Sequence, residues 1–449
     1  MAADKYALNP SLIKEPPRSF FSKIKFLGPG FILSASIVGS GELIATTILG
    51  AKAGFIAFWV IIVSCLIKVA IQLEFGRTAI TSGATPMQSF AALPGKGKWA
   101  VWVVFLLTLL KVIQVGGMLG GSALVLFQLF PAVPVFVWVV LLGIIVAILI
   151  FRNYYKVIEQ SSIFMVALFT VFTLVSLIAV AYTPYSVSAG EVMSGLQFRL
   201  PPEYIIYAIG AFGITGVASD EIIAYNYWCI EKGYAAYTGP YENTDGWKRR
   251  ANGWISVMRL DAIVAMIIYT IVTAAFYILG AAILSDNKNI PDGNELVRLL
   301  ANIYTFTLGE GVRVIYLVGA FFVLFSSVFA TLAYWTRLFS DIFGQFKWIN
   351  FSEERSRKKI VGILAWVFPV TWILAYFFVE LPTIMILSGG FVGSVLLLLV
   401  AYAAVWFRYK KNYFLSKSLM GDIFLWVSVL SIGFLGVYGV ITITDSFLS

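Results

Sequence analysis

The sequence predicts an all-α membrane protein of about eleven transmembrane helices, built as two inverted repeats of five helices plus one extra. Three observations predict it. The mean hydropathy of +0.89 lies far above that of a soluble domain. The apolar residues fall into runs of spanning length. Near the middle of the first and sixth runs the same glycine-and-acid interruption recurs.

In 449 residues, 60% are hydrophobic and only 12% charged, so lipid must solvate much of the surface. A bilayer core about 30 Å thick needs roughly 20 apolar residues per helix. The runs that satisfy this are residues 27–50, 55–78, 99–125, 135–151, 163–182, 204–230, 260–284, 312–339, 360–379, 383–407 and 423–441. Nothing between them is long enough to bury a second core. The domain reading is therefore a cytoplasmic tail over residues 1–26 and one transporter domain over residues 27–449. The first repeat covers about residues 27–182 and the second about residues 204–407, with the extra helix at about residues 423–441. The first run follows a polar tail with no small-residue cleavage site, so it reads as a retained span. Cys65 and Cys229 both lie inside predicted spans, which excludes a disulfide framework.

The net charge of +9 is explained by topology. With the amino terminus inside, 24 of the 32 Lys and Arg fall in the inner segments and span ends, and 5 in the outer ones. That is the positive-inside asymmetry. It sets the amino terminus in the cytoplasm and the carboxyl terminus outside, in a cell membrane, with the lipid bilayer as partner and no nucleic acid.

The first interruption is Gly39-Ser40-Gly41-Glu42, and the second is Gly213 and Gly216 followed by Ser219-Asp220-Glu221. Ser40-Gly41-Glu42-Leu43-Ile44-Ala45 aligns with Ser219-Asp220-Glu221-Ile222-Ile223-Ala224. Five spans separate the copies, and an odd number inverts the second copy in the membrane. This is the pattern of LeuT-type folds, whose broken first and sixth helices meet at a midplane substrate site. Glycine in a membrane helix ordinarily permits close packing. A mid-helix acid, however, costs roughly 2.5–3.5 kcal/mol on insertion scales, so Glu42, Asp220 and Glu221 need a further reason. Unwound backbone survives at that depth only where it is buried or lines a cavity.

Residues 39–55, GSGELIATTILGAKAGF, resemble the first-helix signature of the Nramp (natural resistance-associated macrophage protein) family of divalent-metal transporters, in which Asp-Pro-Gly-Asn precedes Gly-Ala-Lys-x-Gly-Tyr at the same spacing. The resemblance continues through VIQVGGMLGGSALVLFQLF in the third span, MRLDAIVAM around Asp261, and FSSVFATLAYWTRLF in the eighth. It implies a divergent, Nramp-related member with the family's fold. At the site it implies replacements. The metal-binding Asp becomes Gly39 and its Asn becomes Glu42, while Met-Pro-His-Asn becomes Ala218-Ser219-Asp220-Glu221. The third-helix acids associated with proton movement become Gln114 and Gly117, and the tenth-helix glutamine falls near Gly389. The chain has no histidine at all. Nramp-related magnesium transporters also lack the methionine, but they keep the first-helix Asp.

The substrate-binding candidates are Gly39, Ser40, Glu42, Val217, Ala218, Ser219, Asp220 and Glu221, with Glu42, Asp220 and Glu221 as the metal ligands. They offer carboxylate, hydroxyl and carbonyl oxygen only, which suits hard cations such as Mg²⁺ or Mn²⁺ better than soft ones. No cofactor is called for, because the divalent cation, a small inorganic ion, is the transported substrate. Lys111, mid-span, reads as an internal charge partner for a site acid, beside Gln114 as the other coupling candidate. Glu74 and Lys68 read as side chains snorkelling to the interface. Tyr225, Tyr227 and Trp228 read as packing.

The predicted function is alternating-access movement of divalent cations without tight proton coupling. The alternative is an amine or amino-acid symporter on the same fold, though three clustered acids would repel a substrate carboxylate. An enzyme is not expected: without His there is no zincin motif, and no nucleophile elbow is present. The sequence leaves the oligomeric state open, and nothing in it requires more than a monomer.

Overall fold

The protein is described by a computed structural model that covers residues 4–39, 41–151, 155–285, 298, 305, 313–412 and 418–448. Ser40 lies outside the described residues. The regular elements among those residues are all helical, with no strand. Apolar side chains alone do not dictate helix, but lipid leaves few alternatives, since every backbone N–H and C=O in it must be paired within the segment.

The first span is a broken pair: α1 (Pro29–Ile37) and α2, a wide π-type turn (Gly41–Thr46) running into Thr47–Ala53, bent by 43°. Pro29 suits the first turn of α1, where its missing N–H is no loss. Next come α3 (Phe58–Ser82), α4 (Trp99–Leu110), α5 (Val112–Leu129), α6 (Val135–Phe151) and α7 (Tyr155–Val180). A single residue, Lys111, interrupts the third span between α4 and α5. The second repeat opens on another break, between α8 (Ile205–Ile214) and α9 (Ser219–Lys232). It continues through α10 (Asp245–Leu284), α11 (Arg313–Gln345), α12 (Glu354–Val379) and α13 (Pro382–Trp406), and the chain ends in α14 (Leu419–Leu448).

Among the described residues eight helices are long and apolar enough to cross a membrane, and the bent first pair makes a ninth. Val135–Phe151 and Thr170–Val180, in the fourth and fifth predicted spans, are apolar but shorter. Several helices outrun their predicted spans; α10 starts at Asp245, within a polar stretch. Hydropathy reports the length in lipid, whereas backbone hydrogen bonding continues into water.

Close packing sets the breaks in place. At Gly50 of α2 a Cβ would come within 2.5 Å of the Tyr277 carbonyl of α10, so only glycine allows this approach. Gly216, in the second break, has φ +63°, a left-handed conformation that glycine adopts without strain, and it lies against Cys65 of α3. Asp261 of α10 caps the start of α1: its Oδ1 and Oδ2 accept from the N–H groups of Gly28 and Gly30 at 2.8 and 2.6 Å, and Tyr225 donates to Oδ2 at 3.0 Å. The amino-terminal tail is not loose. Tyr6 and Lys5 donate to Glu231 of α9, Glu231 pairs with Arg337 of α11, and Asp4 pairs with Arg357 of α12.

Candidate functional site

Breaking a membrane helix frees carbonyls at one end and N–H groups at the other. At the C-terminal end of α1, the hydroxyls of Ser326 and Ser327 on α11 donate to the carbonyls of Ala35 and Ser36 at 3.0 and 3.2 Å. At the C-terminal end of α8, Ser64 and Lys68 of α3 serve the carbonyls of Phe212 and Thr215. The two breaks also touch each other: Thr46 and Thr215 hydroxyls are 3.2 Å apart, and the Gly216 N–H donates to Glu42 Oε1 at 3.2 Å.

Between α1, α5, α9 and α11 lies a cavity of about 40 Å³, lined by Ser36, Gln114, Met118, Asp220, Glu221 and Tyr334 among others. At about 10–15 Å³ per water, it has room for about three or four waters, or one ion with fewer. Asp220 and Glu221 occupy the first turn of α9, where the helix dipole favours negative charge. Asp220 Oδ2 holds the ammonium of Lys111, and Glu221 Oε1 accepts from Ser36 at 2.8 Å. Asp220 Oδ1, Glu221 Oε2, Ser219 Oγ and Tyr334 Oη are all buried with no hydrogen-bond partner among the described residues. Buried polar atoms are normally satisfied. Four such oxygens here, three of them on residues that line one cavity, mark a place built for a polar or charged guest.

The structure brings Ala218, Asp220, Glu221, Lys111 and Gln114 to this cavity, with Ser219 adjoining it. Glu42 does not join them. It is buried on the α3 and α10 side of the unwound segment, where Gly216 N–H and the Thr273 hydroxyl each donate to Oε1 at 3.2 Å. The expected trio of Glu42, Asp220 and Glu221 is thus split, and among the described residues no three Asp, Glu or Cys side chains are close enough to hold one ion. The reason is helical geometry. Glu42 reaches the second break at Gly216 and α10 at Thr273, whereas Asp220 reaches Lys111 and Glu221 reaches Ser36. Val217 and Gly39 are buried in the two breaks without lining the cavity.

Two further expectations need correction. Lys68 does not snorkel: its ammonium is fully buried on the carbonyls of Phe212 and Thr215. Nor does Glu74, which pairs with Arg77 and Arg408 inside the protein. The replacements at the family's other positions are sterically matched. A side chain at Gly39 would meet the Ser327 hydroxyl, and one at Gly389 would meet the side chain of Gln114. Trp228 lines the cavity, while Tyr225 and Tyr227 hydrogen-bond Asp261 and Asp341.

Sequence reasoning missed Ser36, Met118 and Tyr334. A signal for the last existed: Ser327, Thr331 and Tyr334 recur at helical spacing on one face of α11, and all three line the cavity. Met118 brings a thioether to a wall expected to offer oxygen alone.

A membrane bundle with two inverted broken helices, whose breaks meet beside a buried polar cavity, has the architecture of the LeuT-type fold. Residues 30–443 match the family described as natural resistance-associated macrophage protein-like, Nramp. The chain belongs to that family. Among curated relatives, it is 23% identical over 295 residues to a divalent metal cation transporter MntH of Caldanaerobacter subterraneus, covering 63% of this chain and 65% of the relative. It thus spans a little under two thirds of that relative's length. An uncharacterized protein of Pasteurella multocida is 27% identical, covering 71% of this chain and 70% of the other. A mutant of the Eremococcus coleocola manganese transporter superposes with a TM-score of 0.67 at 15% identity, covering 98% of this chain and 91% of that one. MhsT in complex with L-phenylalanine gives 0.60 at 17%, covering 96% and 99%. At those identities the likeness is one of fold.

Proposed function

We propose that this protein moves a divalent metal cation across a cell membrane by alternating access, with the cavity beside Asp220 and Glu221 as its binding site. The observation that carries the reading is the set of partnerless oxygens on Asp220, Glu221, Ser219 and Tyr334 around a space of about 40 Å³. Two carboxylates give a divalent ion its charge balance, and Ser36, Gln114 and Tyr334 give it neutral oxygens. The MntH relatives, named as divalent metal cation transporters, support the same class of substrate.

Cavity size separates the candidate ions. A fully hydrated ion does not fit, so the cargo must shed most of its water, which Mg²⁺ does reluctantly and Mn²⁺ more readily. Oxygen donors with Met118 at the wall suit Mn²⁺ as well. Mn²⁺ therefore ranks ahead of Mg²⁺. The symporter reading is weaker: MhsT shares the fold and binds L-phenylalanine, but an amino acid needs several times this volume.

In this reading the arriving cation displaces Lys111 from Asp220, and the two repeats rock about the touching breaks to expose the cavity to the other face. Glu42, which joins the breaks through Gly216, acts in that hinge. Proton coupling is not tight, the membrane potential supplies the drive, and the amino terminus is cytoplasmic with the carboxyl terminus outside. The test is uptake by proteoliposomes alongside melting of the purified protein. Mn²⁺ should raise the melting temperature and be accumulated, whereas stabilisation by small amines or amino acids with no response to Mn²⁺ or Mg²⁺ would overturn the reading.

A further inference from the structure

The C-terminal ends of the two half-helices are treated differently. At α1, two serine hydroxyls suffice for the freed carbonyls. At α8 the Ser64 hydroxyl lies 3.4 and 3.0 Å from the carbonyls of Phe212 and Thr215, and the Lys68 ammonium is added on the same two oxygens at 2.7 Å each. The Phe212 ring stands 4.6 Å from Nζ, a cation–π contact. Ser64 and Lys68 have no exposure to solvent.

Lys68 forms no ion pair among the described residues. Glu42 Oε1 accepts from Gly216 and Thr273, and its Oε2 has no hydrogen-bond partner among the described residues, so neither oxygen is hydrogen-bonded to the ammonium. An unpaired ammonium buried in a membrane protein is costly, and a methionine would fill the space without that cost. Capping alone does not require a charge, because α1 does without one. What the ammonium supplies is a positive centre at the negative end of a half-helix dipole, held by oxygen donors. Transporters with broken helices use such carbonyl ends to coordinate a free alkali cation.

We infer that Phe212 O, Thr215 O and Ser64 Oγ form a monovalent-cation site that Lys68 fills permanently with its own ammonium. The second break is thereby closed by a tethered ion, so that no free Na⁺ or K⁺ binds there in the native protein. An ammonium and K⁺ are of similar size and both are satisfied by carbonyl oxygen. Removing the amine while leaving the three oxygens exchanges a built-in cation for a binding site. This inference concerns a different site from the divalent-cation cavity, and its readout is melting, not uptake.

The experiment compares the native protein with Lys68→Met in detergent at constant ionic strength, using NaCl, KCl, methylammonium chloride or N-methylglucamine chloride. The native protein should melt at one temperature in all four. Lys68→Met should melt lower in N-methylglucamine and recover at least half of the loss in one of the small cations, saturably, and Ser64→Ala added to it should weaken that recovery several-fold. A Lys68→Met protein that melts alike in all four salts overturns the inference. So does a native protein that is saturably stabilised by Na⁺ or K⁺ over N-methylglucamine in a manner that Ser64→Ala abolishes, and this arm needs no variant of Lys68 to fold.

Discussion

Lys111 places its ammonium on Oδ2 of Asp220 and leaves Oδ1 of the same carboxylate buried without a partner. The lysine comes from the one-residue interruption between α4 and α5, where its N–H falls back to Thr108 in a tighter turn. The cavity therefore contains a cation of the protein's own, competing with any that arrives. Lys111→Met should remove that competitor and tighten Mn²⁺ binding about tenfold or more, since neighbouring unit charges at an effective dielectric near 20 interact by a few kcal/mol. Titration of the melting temperature with Mn²⁺ checks it. Weaker binding in the variant would mean that Lys111 positions Asp220 for the ion instead of opposing it.

Glu221 and Glu42 occupy equivalent places in the two repeats but different surroundings. Among the described residues each has an Oε2 with no hydrogen-bond partner, but Glu221 lines the cavity whereas Glu42 joins the breaks through Gly216. Glu221→Gln should cut Mn²⁺ affinity about tenfold or more, the worth of one charge-assisted contact. Glu42→Gln should change it by less than about threefold and instead lower the melting temperature, because its effect is on the hinge. Equal losses of affinity in both variants would restore the symmetric two-glutamate site.

Met118 is the one thioether on the cavity wall. Soft ions use sulfur and hard ions ignore it. Met118→Leu should therefore weaken Cd²⁺ binding several-fold and leave Mg²⁺ binding unchanged, measured by competition against Mn²⁺. A Cd²⁺ affinity that does not respond would place the sulfur out of reach of the ion.

Asp261 closes the start of α1 with two backbone acceptor bonds and one from Tyr225. Asp261→Ala strands two buried N–H groups, each costing about 1–3 kcal/mol, so the protein should melt several degrees lower. Asp261→Asn keeps one acceptor oxygen and should fall between. Unchanged melting in the alanine variant would show that water replaces the cap.

The helical membrane bundle and both breaks were legible in the sequence because lipid imposes them: apolar length reports spanning helices, nine of them long enough among the described residues with the bent pair as one, and Gly39, Gly41, Gly213 and Gly216 report backbone that a continuous helix would not need. Asp220 and Glu221 were legible as charges too costly to be idle. The separation of Glu42 from them was not, because the side of an unwound segment that a side chain takes depends on its dihedral angles and not on its place in a motif. Ser36 and Met118 were hidden for a different reason. Each sits on a mostly apolar helix, one turn from the expected residues, and only the packing of α1 and α5 around α9 brings them to a common space.

Coupling follows from the cavity's chemistry. Gln114 of α5 lies against Gly389 of α13, and neither an amide nor a glycine takes up a proton. The carboxylates on the cavity wall among the described residues are Asp220 and Glu221, and Lys111 pairs with Asp220. In the proposed function, cation entry is balanced by moving one internal ammonium, with no proton released. The membrane potential contributes roughly 2.3 kcal/mol per charge per 100 mV, enough to drive a divalent ion inward. Proteoliposomes carrying an interior pH dye should accumulate Mn²⁺ under an inside-negative potential with no matching acidification. Acidification that tracks Mn²⁺ uptake and disappears in Asp220→Asn would show instead that a cavity carboxylate carries protons with the metal.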